Sequence, residues 1–358
     1  MTLPITMTGI YLTRHGGPDA LELRHDIPVP IPGKGEVLVE VMAAGVNNTD
    51  INTRIGWYSS DVTGATEDVA TDAGIESGGH AGTLHFPRIQ GGDLCGRIVA
   101  LGPDVEGWSL GQRVTGPINL PRPTDGSPMH YIALGSEVDG AFAQYCLVQA
   151  VDIYDVTSSP LSDEEIAAIP CAFGTAENLL TRAGLCDGQS VLITGASGGV
   201  GLAAVQLAAI RGARVTAMTA PTKADAVRQA GASETIARDA SLPLDHFDVV
   251  IDVVAGPIWP ALIDALKPGG HYATSGAIAG PNVDMDLRRI YLRDITIHGA
   301  TYQSPEVFAR LVSLMKAGTL RPLISKTYPL EQIADAQAEF ERKRLPGKLV
   351  LIPPKATL

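Results

Sequence analysis

Residues 191–215 read VLITGASGGVGLAAVQLAAIRGARV. Val191 to Thr194 is a short strand-like run, and Gly195, Gly198 and Gly201 follow it three residues apart. An amphipathic helix is expected to begin near Gly199, with a second strand from Ala213. At such a strand-to-helix junction each missing side chain has a use. The first glycine permits the tight turn, the second lets a pyrophosphate approach the backbone, and the third lets the helix pack closely on the strand. Free N–H groups and the positive end of the helix then favour phosphate, so Gly195, Ser197, Gly198, Gly199, Val200 and Gly201 are expected to line a phosphate-bearing ligand. The stretch does not continue into Gly-Lys-Ser or Gly-Lys-Thr, which excludes the phosphate loop of nucleotide triphosphatases.

Outward from this junction, the end of the second strand identifies the ligand more closely. Dinucleotide folds place an acid there to accept the ribose hydroxyls, whereas this chain has Met218-Thr-Ala-Pro-Thr-Lys223. Thr219 and Thr222 offer hydroxyls and Lys223 a cation, a set suited to a 2′-phosphate, so NADP(H) is expected over NAD(H). The alternative leaves Lys223 as a solvated lysine in a helix's first turn. Further strands are expected over 247–252, 270–275 and 295–299, with helices over 223–230, 259–266 and 305–316. Alternation of this kind predicts a doubly wound parallel sheet, with Val253, Ser275 and Gly276 at its ligand-binding carboxyl edge. Asp286 to Tyr291 either offers a cation to a substrate or packs as an exposed helix; the second is preferred.

Two other stretches differ in style. From the N-terminus to about Val151, short alternating segments such as Glu36-Val-Leu-Val-Glu-Val-Met, 96–100 and 141–148 are punctuated by Gly and Pro. Ser162 and Glu165 form a capping-box signature that opens the helical style, and the tail from Leu320 returns to the first. The expected division is therefore 1–152 with 320–358, and 153–319. Residues 59–84 carry Asp61, Glu67, Asp68, Asp72 and Glu76 without period and read as a long exposed acidic loop.

Composition limits the partners. The 358 residues carry a formal charge of −12 and no basic run, which opposes a nucleic-acid surface. Cys95, Cys146, Cys171 and Cys186 lack close pairing, no segment approaches the length of apolar chain that crosses a membrane, and Met1 to Tyr11 has no leader pattern. A cytoplasmic protein with reduced thiols is expected, with no membrane partner.

The chain resembles the medium-chain dehydrogenase/reductase superfamily over nearly its full length, in its zinc-independent quinone oxidoreductase branch. The resemblance is carried, in order, by Ala43-Ala-Gly-Val-Asn47-Asn-Thr-Asp50, Arg54 with Gly56-Trp-Tyr58, Gly91-Gly-Asp93-Leu-Cys-Gly96, Leu101-Gly102, Gly111-Gln-Arg-Val114, Ile169-Pro-Cys-Ala172 with Thr175-Ala, Gly195 to Gly201, Gly231-Ala232 and Gly347-Lys348-Leu-Val350. It implies an α/β chain: a GroES-like β-barrel domain built from both chain ends (1–152 and 320–358), a Rossmann domain between them (153–319), and an active site in the cleft.

The resemblance also implies site residues. Where zinc-dependent alcohol dehydrogenases place their three catalytic zinc ligands, this chain has Asn47, Gly92 and Cys171, and the stretch from Gly111 to Ala141 lacks structural cysteines. One ligand-type side chain is too few, even if Asp93 swings in, so no metal is expected. Cys171 is read as a packed residue at a helix start, and His80 and His85, which match no metal signature, as solvated loop histidines. Asn47 is expected near the nicotinamide, either donating its amide N–H to a carbonyl or positioning the ribose and nicotinamide, and Tyr58 at the substrate, donating to a developing oxyanion; Tyr58 as a stacking rim residue is the alternative. Asp50 and Arg54 are expected to organise this region. Thr175 is carried over as a cofactor contact, and Lys348 either approaches the cofactor or faces solvent from its strand. The implied reaction is hydride transfer from NADPH to a quinone or enone, whose conjugation spreads the incoming charge without a Lewis acid. The alternatives are an enoyl-thioester reductase, a zinc-dependent alcohol dehydrogenase, or a non-enzymatic NADPH-binding structural or interaction protein. A homodimer or homotetramer is expected, through pairing of the edge strand Ile295 to Gly299.

Overall fold

The computed structural model describes residues 3–59, 62 and 78–355. Most of the acidic stretch expected as a loop therefore lies outside the described residues. Its end is anchored: Ser136 Oγ accepts from the His80 N–H at 2.9 Å, and Glu137 Oε1 accepts from those of Ala81 and Gly82 at 2.9 and 3.1 Å.

Two compact units form. In Ala172–Gln303 six parallel strands lie in the order Glu234–Ile236, Arg214–Met218, Ser190–Ile193, Phe247–Asp252, Leu266–Thr274, Thr296–Gly299. The order reverses at Ser190–Ile193, the strand that leads into the glycine-rich turn, so this is the expected Rossmann arrangement with its switch point at the first strand. Val191, Leu192, Val249 and Val250 are fully buried, as strands of a covered parallel sheet require. The following helix, Gly199–Ile210, differs from the amphipathic expectation. Ala203, Ala204, Val205, Leu207 and Ala208 are buried around most of its circumference, so it is a core helix. The strand Glu234–Ile236 escaped the sequence pattern because it is three residues long and none of them is buried.

The other unit joins both chain ends. Its largest sheet runs Tyr154–Asp155, Arg113–Thr115, Cys95–Leu101, Glu36–Val46, Lys348–Ile352, Ile324–Pro329, with Tyr145–Gln149 also pairing on Glu36–Val46. Smaller sheets combine Leu21–Pro28 with Thr6–Leu12 and Arg88–Ile89, and Asn119–Pro121 with Tyr131–Ala133. Glu36–Val46 is central, so Val37, Leu38 and Val39 are all buried in place of the alternation that the sequence suggested. The register Leu349↔Val46 and Val350↔Gly45 brings Lys348 alongside Asn47.

This unit also takes residues up to Cys171 and from Ser304 onward, so the parallel-sheet unit is shorter than the expected 153–319. The physical reason is a set of local ties. Tyr154–Asp155 pairs with Arg113–Thr115, the Arg113 guanidinium donates to the carbonyls of Val156, Ser159 and Leu161, and Ser159 Oγ donates to Met315 O at 2.7 Å. Tyr154 packs its ring 5.3 Å from that of Phe308, drawing in the helix Pro305–Lys316. The capping box at Ser162 and Glu165 forms as expected and starts the helix Asp163–Ala167.

Candidate functional site

In the parallel-sheet unit the strand Ser190–Ile193 runs through a glycine turn into the helix Gly199–Ile210. Gly195 has φ +56°, a left-handed conformation that costs glycine little, and a Cβ on Gly201 would lie 2.2 Å from Gly195 O. Gly198 caps the helix in extended geometry, and its own absent Cβ would meet nothing closer than 3.5 Å. The approach to the turn is thus open where the helix N–H groups begin. Asp252 braces the neighbouring strand end: its carboxylate accepts from Thr194 Oγ1, the N–H groups of Val254 and Ala255, and Tyr272 OH at 2.6 Å. The Val253 N–H donates to Thr194 Oγ1, and Thr274 Oγ1 donates to Gly276 O at 3.2 Å. Val253, Ser275 and Gly276 therefore stand with the glycine turn at the carboxyl edge.

At the end of the second strand the Thr219 hydroxyl is buried without a hydrogen-bond partner, and a buried orphan of this kind calls for a ligand or a water. Thr222 is exposed and Lys223 half-buried in the turn Pro221–Lys223. Desolvation, with Arg238 adding a like charge, lowers the Lys223 ammonium below its ordinary pKa. Arg238 was not found from sequence because it follows the short strand that the pattern missed. Thr175 lies in the helix Pro170–Arg182.

The barrel unit assembles the second constellation. Asn47 ends the central strand and caps the helix Asn48–Ile55, its N–H donating to Asp50 Oδ2 at 2.8 Å. Its amide is committed on both sides: Nδ2 donates to Asp93 Oδ2 at 2.9 Å, and Oδ1 accepts from Lys348 Nζ. Lys348 is buried, not solvent-facing, and also donates to Asp93 Oδ2 at 2.8 Å and Val46 O at 3.1 Å. Asp93 Oδ1 accepts from the Cys171 N–H at 2.6 Å, which sets Cys171 at the helix start where it was expected. Desolvation lifts the Asp50 carboxyl to about 7, reinforced by the charge of Asp93 and opposed by the Asn47 N–H and Lys348.

Tyr58 follows the same helix and donates to Thr49 Oγ1 at 3.0 Å; desolvation raises its phenol above the ordinary range, keeping it protonated. His80 packs edge-on between Tyr58, 4.9 Å away, and Tyr131, 5.8 Å away, and its desolvation lowers the imidazole pKa. The reading of solvated histidines holds for His85, which is exposed, and fails for His80, whose packing depends on contacts distant in sequence. Arg54 is buried and ties the helix to Gly16 O, Gln337 and Glu341, so it braces the region as expected. At the exposed helix Leu287–Tyr291, Arg288 pairs with Asp286 and Arg289 with Asp264, which accounts for both cations.

Gly92 packs closely against the Ile118 side chain. A Cβ on Gly92 would lie 2.2 Å from Ile118 Cδ1. Among the described residues no group of three or more His, Cys, Asp or Glu could hold a metal ion.

With this geometry in place, comparison with known proteins defines the class. Residues 33–158 match the alcohol dehydrogenase GroES-like domain, and 222–351 match a family described as zinc-binding dehydrogenase. The quinone oxidoreductase of Sus scrofa is 30% identical, over 97% of this chain and 98% of that protein. The acryloyl-coenzyme A reductase of Metallosphaera sedula is 28% identical, over 91% of this chain and 95% of that protein. A solved structure from Sinorhizobium meliloti 1021, provisionally named an alcohol dehydrogenase, is 40% identical with a TM-score of 0.88, covering 98% of each chain. The chain belongs to the medium-chain dehydrogenase/reductase superfamily and is quinone oxidoreductase-like within it. It is an oxidoreductase of a family that uses nicotinamide cofactors. Among the described residues no helix is long and apolar enough to cross a membrane.

Proposed function

We propose that the chain is an NADPH-dependent reductase of quinones or conjugated carbonyls that works without catalytic zinc. The observation that supports this reading is the chemistry of the three positions: Asn47, Gly92 and Cys171 offer one ligand-type side chain, and the neighbouring Asp93 carboxylate is taken up by Lys348. An acceptor whose own conjugation spreads the incoming charge needs no Lewis acid. The glycine turn from Gly195 to Gly201, with Thr219, Thr222, Lys223 and Arg238, would hold the phosphates, and Val253, Ser275, Gly276 and Thr175 the remainder of the cofactor. When bound, that cofactor supplies the hydride. Asn47, fixed by Lys348 and Asp93, shapes the barrel side, while the protonated Tyr58 hydroxyl turns from Thr49 to the acceptor oxygen. The similarity to acryloyl-coenzyme A reductases makes an enoyl thioester the second candidate acceptor.

An anaerobic screen of quinones, enones and enoyl thioesters with NADPH and NADH, followed by cofactor absorbance, tests the proposal. Turnover with NADPH is the expected result. Oxidation of simple alcohols that is lost on zinc chelation would replace it with the dehydrogenase reading, and cofactor binding with no turnover would leave a binding protein. In the same assay Tyr58→Phe is expected to slow single-turnover reduction by roughly 1–3 kcal/mol in barrier while NADPH affinity is retained. The loss should be larger for enones, whose enolate must be protonated. An unchanged rate with both acceptor types would reduce Tyr58 to a stacking residue.

Lys223→Ala is expected to weaken NADPH by about 1–2 kcal/mol and leave NADH nearly unaffected, as removal of a charge-assisted phosphate contact requires. Fluorescence titration of both cofactors checks this, and equal wild-type affinities would sink the NADP(H) assignment. We also propose a homodimer, or a homotetramer built from it, by pairing of the edge strand Thr296–Gly299. A monomer in light scattering at micromolar concentration would refute it. A cytoplasmic setting accords with four cysteines that form no disulfide.

A further inference from the structure

The family description over residues 222–351 implies zinc, and the residues present build a different device. Lys348 Nζ sits among three oxygens: Asp93 Oδ2 at 2.8 Å, Val46 O at 3.1 Å and Asn47 Oδ1. An ammonium has three protons, and here each has an acceptor. The lysine and the carboxylate are buried, with 3% and 0% of their surfaces exposed, so neither charge is compensated by water.

The acceptors are held from behind. Asp93 Oδ1 takes the Cys171 N–H, Asn47 is fixed through its own N–H on Asp50, and Val46 O is set by the strand register. Oxygens converging on one point, one of them a carboxylate, form the inner layer of a hard-cation site. Such a set differs from the nitrogen and sulfur ligands that suit zinc.

We propose that Lys348 is a tethered cation: its ammonium fills a preformed oxygen cage, orients Asn47 and Asp93 as a bound ion would, and keeps metal out. Withdrawal of the ammonium leaves the cage with one net negative charge and room for an oxygen-preferring divalent ion. This inference stands whichever acceptor the protein reduces.

Manganese(II) binding to the full-length protein, counted from the electron paramagnetic resonance of the free ion, provides the test. Wild type is expected to take up almost none, Lys348→Ala about one ion per chain, and Lys348→Ala with Asp93→Ala again almost none. Manganese should also raise the melting temperature of Lys348→Ala and leave that of wild type unchanged. If Lys348→Ala does not fold alone, refolding it with and without manganese takes the place of the titration, and recovery only with the ion supports the proposal. A folded Lys348→Ala that takes up no manganese overturns it, as does failure to refold in both conditions. Stoichiometric manganese in wild type that Asp93→Asn abolishes overturns it as well.

Discussion

Lys348→Met is expected to destabilise the barrel unit by about 3–5 kcal/mol, and Asp93→Leu by a similar amount, because each leaves a buried partner charge without compensation. The pair is 2.8 Å apart and almost fully buried, so solvent screening offers little relief. The double variant removes both charges and is expected to cost clearly less than the sum of the two single changes. Some cost remains, because Asp93 also accepts from Asn47 Nδ2 and the Cys171 N–H, and each orphaned donor costs about 1–3 kcal/mol. Urea unfolding of the four proteins of this cycle measures the coupling. Additive losses would mean that the two residues act separately and that their proximity carries no energy. The surface pair Arg288 and Asp286 serves as the internal contrast, since both side chains are substantially exposed and their separation should change stability little.

The contrast between these pairs also shows what the sequence made legible. The strand, turn and helix at Val191 to Ile210 are written locally, in glycine spacing and apolar runs, and they appear where the pattern puts them. The capping box at Ser162 is local in the same sense. Lys348 was ambiguous because its surroundings come from Val46, Asn47 and Asp93, which are far away in the chain and arrive only through the pairing of the last strand with a central one. Arg238 escaped notice for a related reason: its position depends on a three-residue strand with too little hydrophobic period to detect. His80 looked solvated because Tyr58 and Tyr131 meet it only in the folded unit. The fold was thus encoded in short-range periodicity, while the polarity and burial of the site were set by contacts between distant segments.

The same packing makes stability depend on pH through Asp50. Its carboxyl is desolvated and lies near the charge of Asp93, so it ionises at about 7 in the folded protein against an ordinary value of 3.8. Below the ordinary value both folded and unfolded chains hold the proton and the group has no effect. Between the two values the unfolded chain releases its proton while the folded chain retains it, so stability falls as pH rises; above about 7 both are ionised and the full loss, about 4 kcal/mol, is reached. Asp50→Asn keeps an acceptor for the Asn47 N–H and cannot ionise. Its stability relative to wild type should therefore climb between acidic and slightly alkaline pH, whatever constant offset the substitution introduces. Urea midpoints of both proteins across that range measure the difference in slope, and parallel profiles would mean that Asp50 ionises in the fold at its ordinary value. Lys348→Met supplies an independent check, since loss of a cation that favours the Asp50 carboxylate should extend the descending part of the profile to higher pH while its start stays in place.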